Sequence, residues 1–149
     1  MKKICVKKSK ICGRGIFAKE AINSGTKIGI FKGKIISETK NNLKKYSDYL
    51  LSISYTKAIL VKNDLKFTNH SCDPNCGVKD GIILTAIKNI KKGEELTLDY
   101  STITYDYKMK CFCKNKICRG ETRGYKCLNK KLKKKYLGFI SPFLLKKPK

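Results

Sequence analysis

Apolar positions in the first hundred residues recur at short spacings, mostly alternating with polar ones or forming brief runs. The stretches are GTKIGIF (25–31), GKIIS (33–37), ISYTKAILV (53–61), GIILTAI (81–87) and ELTLDY (95–100). Alternation and enrichment in β-branched residues predict short strands, and the glycine- and asparagine-containing segments between them predict tight reversals. The body of the chain is therefore predicted to be mainly β, and we find no internal repeat.

Two segments have helical spacing instead. The apolar residues of Glu38–Leu51 fall approximately on one face, which predicts a helical insert. Near the C-terminus, Leu128, Leu132 and Tyr136 lie four residues apart with lysines between them, which predicts a short amphipathic helix that ends near Gly138. The final LLKKPK is predicted to fray.

Length and hydropathy favour a single domain. The chain has 149 residues, 41% hydrophobic and 31% charged, which is typical of a globular protein with a real core. No stretch approaches the roughly 20 apolar residues of a membrane span, and the basic start is not followed by the apolar region of a secretory signal. We therefore expect an intracellular, cytoplasmic protein with no membrane contact. Export to a host cell or a nucleus is compatible with the same features.

The net charge of the chain is strongly positive, which bears on the partners that it can attract. Lysine and arginine number 35 against 11 acidic residues, a formal charge of +24, yet only three of the 35 are arginines. Such a surface predicts weak, salt-dependent, non-specific contact with nucleic acid or with acidic proteins. The arginine clusters and stacking aromatics of a dedicated nucleic-acid site are not evident.

Eight cysteines without a secretory signal indicate a reducing compartment, where thiols bind metal or stay free. Cys111, Cys113 and Cys118 have the C-x-C-x4-C spacing of metal ligands. A closed zinc site needs four ligands. Cys72 and Cys76, upstream, are both candidates for the fourth.

Four motifs occur in a fixed order along the chain. They are GRGIFAKEAINSGTKI (13–28), KFTNHSCDPNC (66–76), which holds the single histidine, KGEELTLDY (92–100) and CFCKNKICRG (111–120). Each is weak alone, but together, from Lys7 to Arg119, they resemble the SET family of protein-lysine methyltransferases. The C-terminal helix resembles, more loosely, an extension of small stand-alone bacterial members.

The resemblance implies a fold and a division of the chain. The expected fold consists of short curved sheets with a threaded, pseudoknotted C-terminal segment. Residues 1–108 would form the SET domain, 109–124 a post-SET zinc-binding segment, and 125–149 a helical extension with a basic tail. In the family, the cysteine of the Asn-His-Ser-Cys motif completes the zinc site. Cys72 therefore joins Cys111, Cys113 and Cys118 as a structural Zn²⁺ ligand, and Cys76 is a bystander.

The resemblance also implies a cofactor, S-adenosyl-L-methionine. Gly13, Arg14 and Gly15 match the family's cofactor loop, where missing side chains let the main chain approach the ligand. Asn69 and His70 match the residues that hold the aminoacyl part and the adenine. Lys66 stands where many relatives carry arginine and would meet the cofactor's carboxylate less rigidly.

The predicted chemistry centres on Tyr100, which matches the catalytic tyrosine. Relatives usually carry Phe or Tyr where this chain has Leu98, so we predict a channel that permits more than one methylation. Tyr49, Tyr105 and Tyr125 are further candidates for its walls. The expected partner is a protein substrate with a target lysine, a histone or another basic protein.

Two alternatives stay open at this stage. One is a catalytically inactive SET-like module, stabilised by zinc, that binds nucleic acid or acidic proteins through its charge. The other concerns Glu94, Glu95 and Asp99, which could form an acidic substrate groove, although a solvated hairpin is the preferred interpretation of these acids.

Overall fold

The computed structural model describes residues 3–146, except for the side chain of Asp48. The last three residues of the predicted basic tail lie outside the described residues. The strands are β1 Ile4–Lys8, β2 Arg14–Ala18, β3 Lys27–Ile30, β4 Gly33–Ser37, β5 Leu50–Ser52, β6 Lys57–Val61, β7 Asn69–His70, β8 Cys76–Lys79, β9 Ile83–Ala86, β10 Glu95–Leu98, β11 Met109–Lys110 and β12 Glu121–Thr122. The α-helices of this range are α1 Lys40–Tyr46 and α2 Lys130–Lys135. The prediction of a mainly β chain with few helices is confirmed.

The strands form four small sheets within the described range. Their orders are β1-β2-β10-β7, β3-β9-β8, β4-β6-β5 and β11-β12. All pairings are antiparallel except that of β7 with β10. The late strand β10 thus lies between two earlier ones, which brings segments distant in sequence into one sheet.

The parallel pair of β7 and β10 organises the centre of the molecule. Thr97 lies opposite Asn69, and Leu98 lies opposite His70. The side chain of Asn75 extends this pairing, since its Oδ1 accepts from the Thr97 N–H at 2.9 Å and its Nδ2 donates to the Glu95 carbonyl at 2.8 Å. The motif that follows β7 is therefore fixed against β10 by both main-chain and side-chain hydrogen bonds.

The core lies where these sheets face each other. Ile16 of β2 and Leu96 and Leu98 of β10 are almost completely buried, together with Val78 and Leu84 from the β8–β9 hairpin. Burial of one such side chain stabilises the fold by about 1.5–3 kcal/mol. The apolar residues that predicted these strands are therefore the residues that form the core.

The helical insert is shorter than predicted. The sequence predicted a helix over Glu38–Leu51, but α1 covers only Lys40–Tyr46, and after a short 3-10 turn the chain enters strand β5, Leu50–Ser52. Leu51 is 2% exposed and pairs with β6. The apolar residues at the end of the predicted helix face the core as part of a strand, so this part of the prediction is wrong.

The C-terminal helix is where the sequence predicted it. Tyr136, just after α2, forms a second buried cluster with Ile140 and Leu144. The Ser141 N–H donates to the Thr102 carbonyl at 2.9 Å, which ties this segment to the residues after β10. Among the described residues, no helix combines the length and the apolar character that crossing a membrane would require.

Candidate functional site

A deep cavity lies beside the β7–β10 pair. Its volume is about 860 Å³, within the range of pockets that hold small molecules. Most of its lining comes from four stretches, 11–14, 47–55, 65–70 and 98–112. The predicted site residues that line it are Gly13, Arg14, Tyr49, Lys66, Asn69, His70, Leu98, Tyr100 and Tyr105. The fold thus gathers segments far apart in sequence around one chamber.

Gly15 and Tyr125 are not among the lining residues. A Cβ at Gly15 would lie 2.2 Å from Glu95 Oε1, so the missing side chain makes room for this carboxylate. The ring of Tyr125 is instead covered by Lys133, whose Nζ lies 4.2 Å from the ring centroid. The sequence placed both residues in the site because it could not show which way each faces.

The loop before β2 is fastened to the sheet by a polar network. Asn69 Nδ2 donates to the Arg14 carbonyl at 3.0 Å and to Glu95 Oε1 at 2.8 Å. Ser9 Oγ donates to the same carboxylate at 2.8 Å. Gly13 adopts a φ of 47°, a left-handed conformation that glycine accommodates easily. Ser9 and Glu95 therefore hold the shape of this loop. Ser9 was not singled out from the sequence, and Glu95 was considered there only as part of an acidic groove or a hairpin.

Arg14 and Lys66 both make cation–π contacts with the ring of Phe67 at the cavity wall. The Arg14 guanidinium lies 4.0 Å from the centroid of Phe67, and Lys66 Nζ lies 5.0 Å from the same centroid and 5.2 Å from that of Tyr49. Such contacts hold charged groups in place. They give this part of the cavity a positive potential suited to an anionic group. Phe67 was not singled out from the sequence.

Tyr100 is fixed at both its main chain and its hydroxyl. Its hydroxyl donates to the Thr68 carbonyl at 2.8 Å, and its N–H donates to His70 Nδ1 at 3.2 Å. Because Nδ1 accepts, the proton of a neutral imidazole lies on Nε2, which is 3.5 Å from Cys72 Sγ. Burial lowers the pKa of His70 to about 4, in spite of nearby Asp99, so the ring is neutral at physiological pH.

Asp99 is an internal ion-pair partner and not a surface acid. It is 1% exposed, and Arg119 Nη2 donates to its Oδ1 at 2.7 Å. The Arg119 N–H donates to Cys72 Sγ at 3.3 Å, so the same arginine touches the cysteine cluster. The interpretation as a solvated hairpin is therefore wrong for Asp99 and for Glu95, whose carboxylate accepts from Ser9 and Asn69, whereas Glu94 is exposed in the turn before β10. Asp99 links the end of β10 to the cysteine-rich segment.

The four predicted metal ligands meet in space. The sulfurs of Cys72, Cys111, Cys113 and Cys118 all lie within 4.8 Å of one another, and those of Cys72 and Cys111 are 3.7 Å apart. A tetrahedral site with Zn–S bonds of about 2.3 Å places its sulfurs roughly 3.8 Å apart. The cluster is compatible with zinc in both geometry and ligand type. Cys76 is buried outside this cluster, and burial raises the pKa of its thiol.

Residues 13–101, more than half of the chain, match the SET domain. The chain belongs to the SET-domain family. The histone-lysine N-methyltransferase trithorax of Drosophila virilis is 34% identical over 129 residues, which is 75% of this chain and 3% of that protein. Histone-lysine N-methyltransferase 2B of Homo sapiens is 34% identical over 134 residues, 76% of this chain and 5% of that protein. This SET chain therefore spans only a small part of those relatives.

A solved structure is also similar to this SET chain. A chain of a humanized mutant of the Chaetomium thermophilum Polycomb Repressive Complex 2, bound to an inhibitor, superposes with a TM-score of 0.57 at 29% sequence identity. The match covers 66% of this SET chain and 15% of the chain in the solved structure. It supports the assignment of the fold.

Proposed function

We propose that this protein is an S-adenosylmethionine-dependent methyltransferase that transfers a methyl group to the side-chain amine of a lysine in a protein substrate. The observation that carries the proposal is the single cavity lined by Arg14, Lys66, Asn69, Leu98 and Tyr100. The proposal is supported by membership of the SET-domain family and by relatives that are named histone-lysine N-methyltransferases. A histone or another basic protein is the proposed substrate.

The proposed cofactor site uses the cationic side of the cavity. Arg14 and Lys66, held against Phe67, offer positive charge to the carboxylate of the cofactor. Gly13 leaves the main chain of the loop open on the cavity side, and Asn69 keeps the loop in position through the Arg14 carbonyl. When bound, the cofactor supplies a methyl group that its sulfonium makes electrophilic.

The proposed role of Tyr100 is to position the acceptor amine. A free lysine has a pKa near ~10.4, so the amine must lose a proton before it can attack. Withdrawal from water into an apolar channel favours its neutral form. The Tyr100 hydroxyl, held by the Thr68 carbonyl, would orient the nitrogen lone pair, and positioning of this kind accounts for most of the catalysis. We assign no general base.

The cysteine cluster is proposed to hold a structural Zn²⁺ ion. Four thiolates make a closed site with no position for substrate or water. Cys72 follows His70 by two residues, so the ion would fasten the segment of Cys111–Cys118 to the loop that carries the site.

The direct test is methyl transfer by the full chain. We expect label from methyl-labelled S-adenosylmethionine to appear in core histones or in a soluble protein extract, and hydrolysis followed by mass spectrometry to find it on lysine Nε. Binding of the cofactor without transfer to any protein would contradict the proposal and favour the inactive basic module. In that case a salt titration of DNA affinity would report how much of the binding is due to charge alone.

Leu98 provides a prediction about the product. Its side chain is buried at the cavity and carries no hydroxyl, so we expect products with two or three methyl groups on one lysine. A Leu98→Tyr variant is expected to stop at monomethyl-lysine because a hydroxyl would crowd the acceptor amine. Mass spectrometry of one substrate peptide compares the products, and the near-isosteric Leu98→Met serves as the control. Monomethyl-lysine as the sole wild-type product would refute this prediction.

A further inference from the structure

One acidic side chain of the cavity has no cationic partner among the described residues. The lining contains two acids among the described residues, Glu38 and Asp106. Asp106 forms a salt bridge with Lys126. The Ser52 side chain interacts with the Glu38 carboxyl, but Glu38 Oε1 is buried and has no hydrogen-bond partner within residues 3–146. Burial raises the pKa of the Glu38 carboxyl.

Glu38 lines the same cavity as a group of aromatic rings. Its N–H donates to the Thr56 carbonyl at 2.8 Å, next to Tyr55. The ring of Tyr55 makes edge contacts of 5.3 Å with both Tyr105 and Phe143, and all three rings line the cavity. We call this combination of Glu38, Tyr55, Tyr105 and Phe143 the acid–aromatic wall. A cavity lined by both a carboxylate and aromatic rings is a favourable environment for an ammonium or guanidinium group.

The overall charge makes this local acid important. A basic peptide that approaches a chain of formal charge +24 is repelled at long range. It needs an attractive contact inside the cavity, and the acid–aromatic wall offers one. A guanidinium would also supply the hydrogen bond that no described residue gives to Glu38 Oε1.

We propose that the acid–aromatic wall, with Glu38 as its acid, forms a subsite in the protein-substrate site. The subsite would bind a basic side chain that flanks the lysine to be methylated. This inference rests on the proposed lysine-methyltransferase function. It narrows the substrate class to sequences with an arginine or a second lysine near the acceptor. Glu38 acts here as a specificity-determining residue.

A binding experiment tests the subsite without requiring methyl transfer. The probes are labelled Gly/Ser peptides with a central methionine in place of the acceptor lysine, each with one arginine at a different flanking position, and a parent peptide without arginine. For the wild-type full chain, we expect arginine at one or more positions to lower Kd roughly tenfold relative to the parent. Glu38→Gln, which keeps the shape of the side chain, should remove this gain.

The matched control is Glu20→Gln, which makes the same change of net charge at an exposed residue that pairs with Lys3. It should keep the preference for arginine. The proposal is overturned if no arginine position tightens wild-type binding, if Glu38→Gln keeps the full gain, or if Glu38→Gln changes only the affinity for S-adenosylmethionine. The same peptides with the acceptor lysine restored report methyl transfer separately, so failure of the subsite and failure of the proposed function give different results.

Discussion

Replacing Tyr100 by phenylalanine is expected to lower the rate of methyl transfer by roughly 100-fold or more, the usual cost of losing one preorganised polar group at a reacting centre. The ring and the main chain should stay in place, because the Tyr100 N–H still donates to His70 Nδ1 and the residue packs against the core. The variant loses the hydroxyl that the Thr68 carbonyl holds at the cavity. Initial rates at saturating cofactor and substrate measure the effect.

The matched control for this prediction is Tyr136→Phe. Tyr136 is buried in the C-terminal cluster outside the cavity, and its hydroxyl has no hydrogen-bond partner within the described part of the chain. Its removal should leave the rate close to that of the wild type. Calorimetric affinity for S-adenosylmethionine should be similar in all three proteins. Equal rates for wild type and Tyr100→Phe would remove Tyr100 from its proposed role.

The sequence predicted the strands well where burial produces a local pattern. The core residues of β6, β9 and β10 lie in short apolar or alternating stretches that are visible without a structure. The end of the helical insert was mispredicted because Leu50 and Leu51 fit both a helical face and a strand start. Both residues adopt the strand conformation because they pair with β6. This pairing joins two segments of the chain, so the local sequence pattern does not reveal it.

The same distinction applies to the site. Asn69, His70 and Tyr100 occur in compact motifs, so the sequence could identify them as candidates. Ser9 and Glu95 are 86 residues apart, and their contact depends on β10 lying beside β2. The pairing of Asp99 with Arg119 likewise depends on the path of the cysteine-rich segment. Contacts made by tertiary packing are absent from motifs, even when they fix the motif residues in place.

Loss of the metal is the second large effect that we expect. The purified protein should contain one zinc ion per chain, and Cys118→Ser should lose most of it, because three thiolates cannot close the tetrahedral site. Since Cys111 and Cys72 are buried, an incomplete site leaves thiols unsatisfied within the fold. We expect a loss of about 3 kcal/mol in the free energy of unfolding, or about 10 °C in Tm. Elemental analysis and calorimetry measure the two quantities.

Activity should fall together with the metal, although the proposed zinc ion takes no part in the chemistry. The Cys72 sulfur contacts His70 Nε2 and the Arg119 N–H, so the ligand cluster is continuous with the residues that hold Tyr100. A chelator should therefore reduce methyl transfer and expose residues 109–122 to protease, and added zinc should restore both. Cys127→Ser, which changes an exposed cysteine outside the cluster, is the control and should retain metal, Tm and rate. Full activity in a protein shown to be free of metal would contradict the structural role, because the cysteine-rich segment would then be held by packing alone.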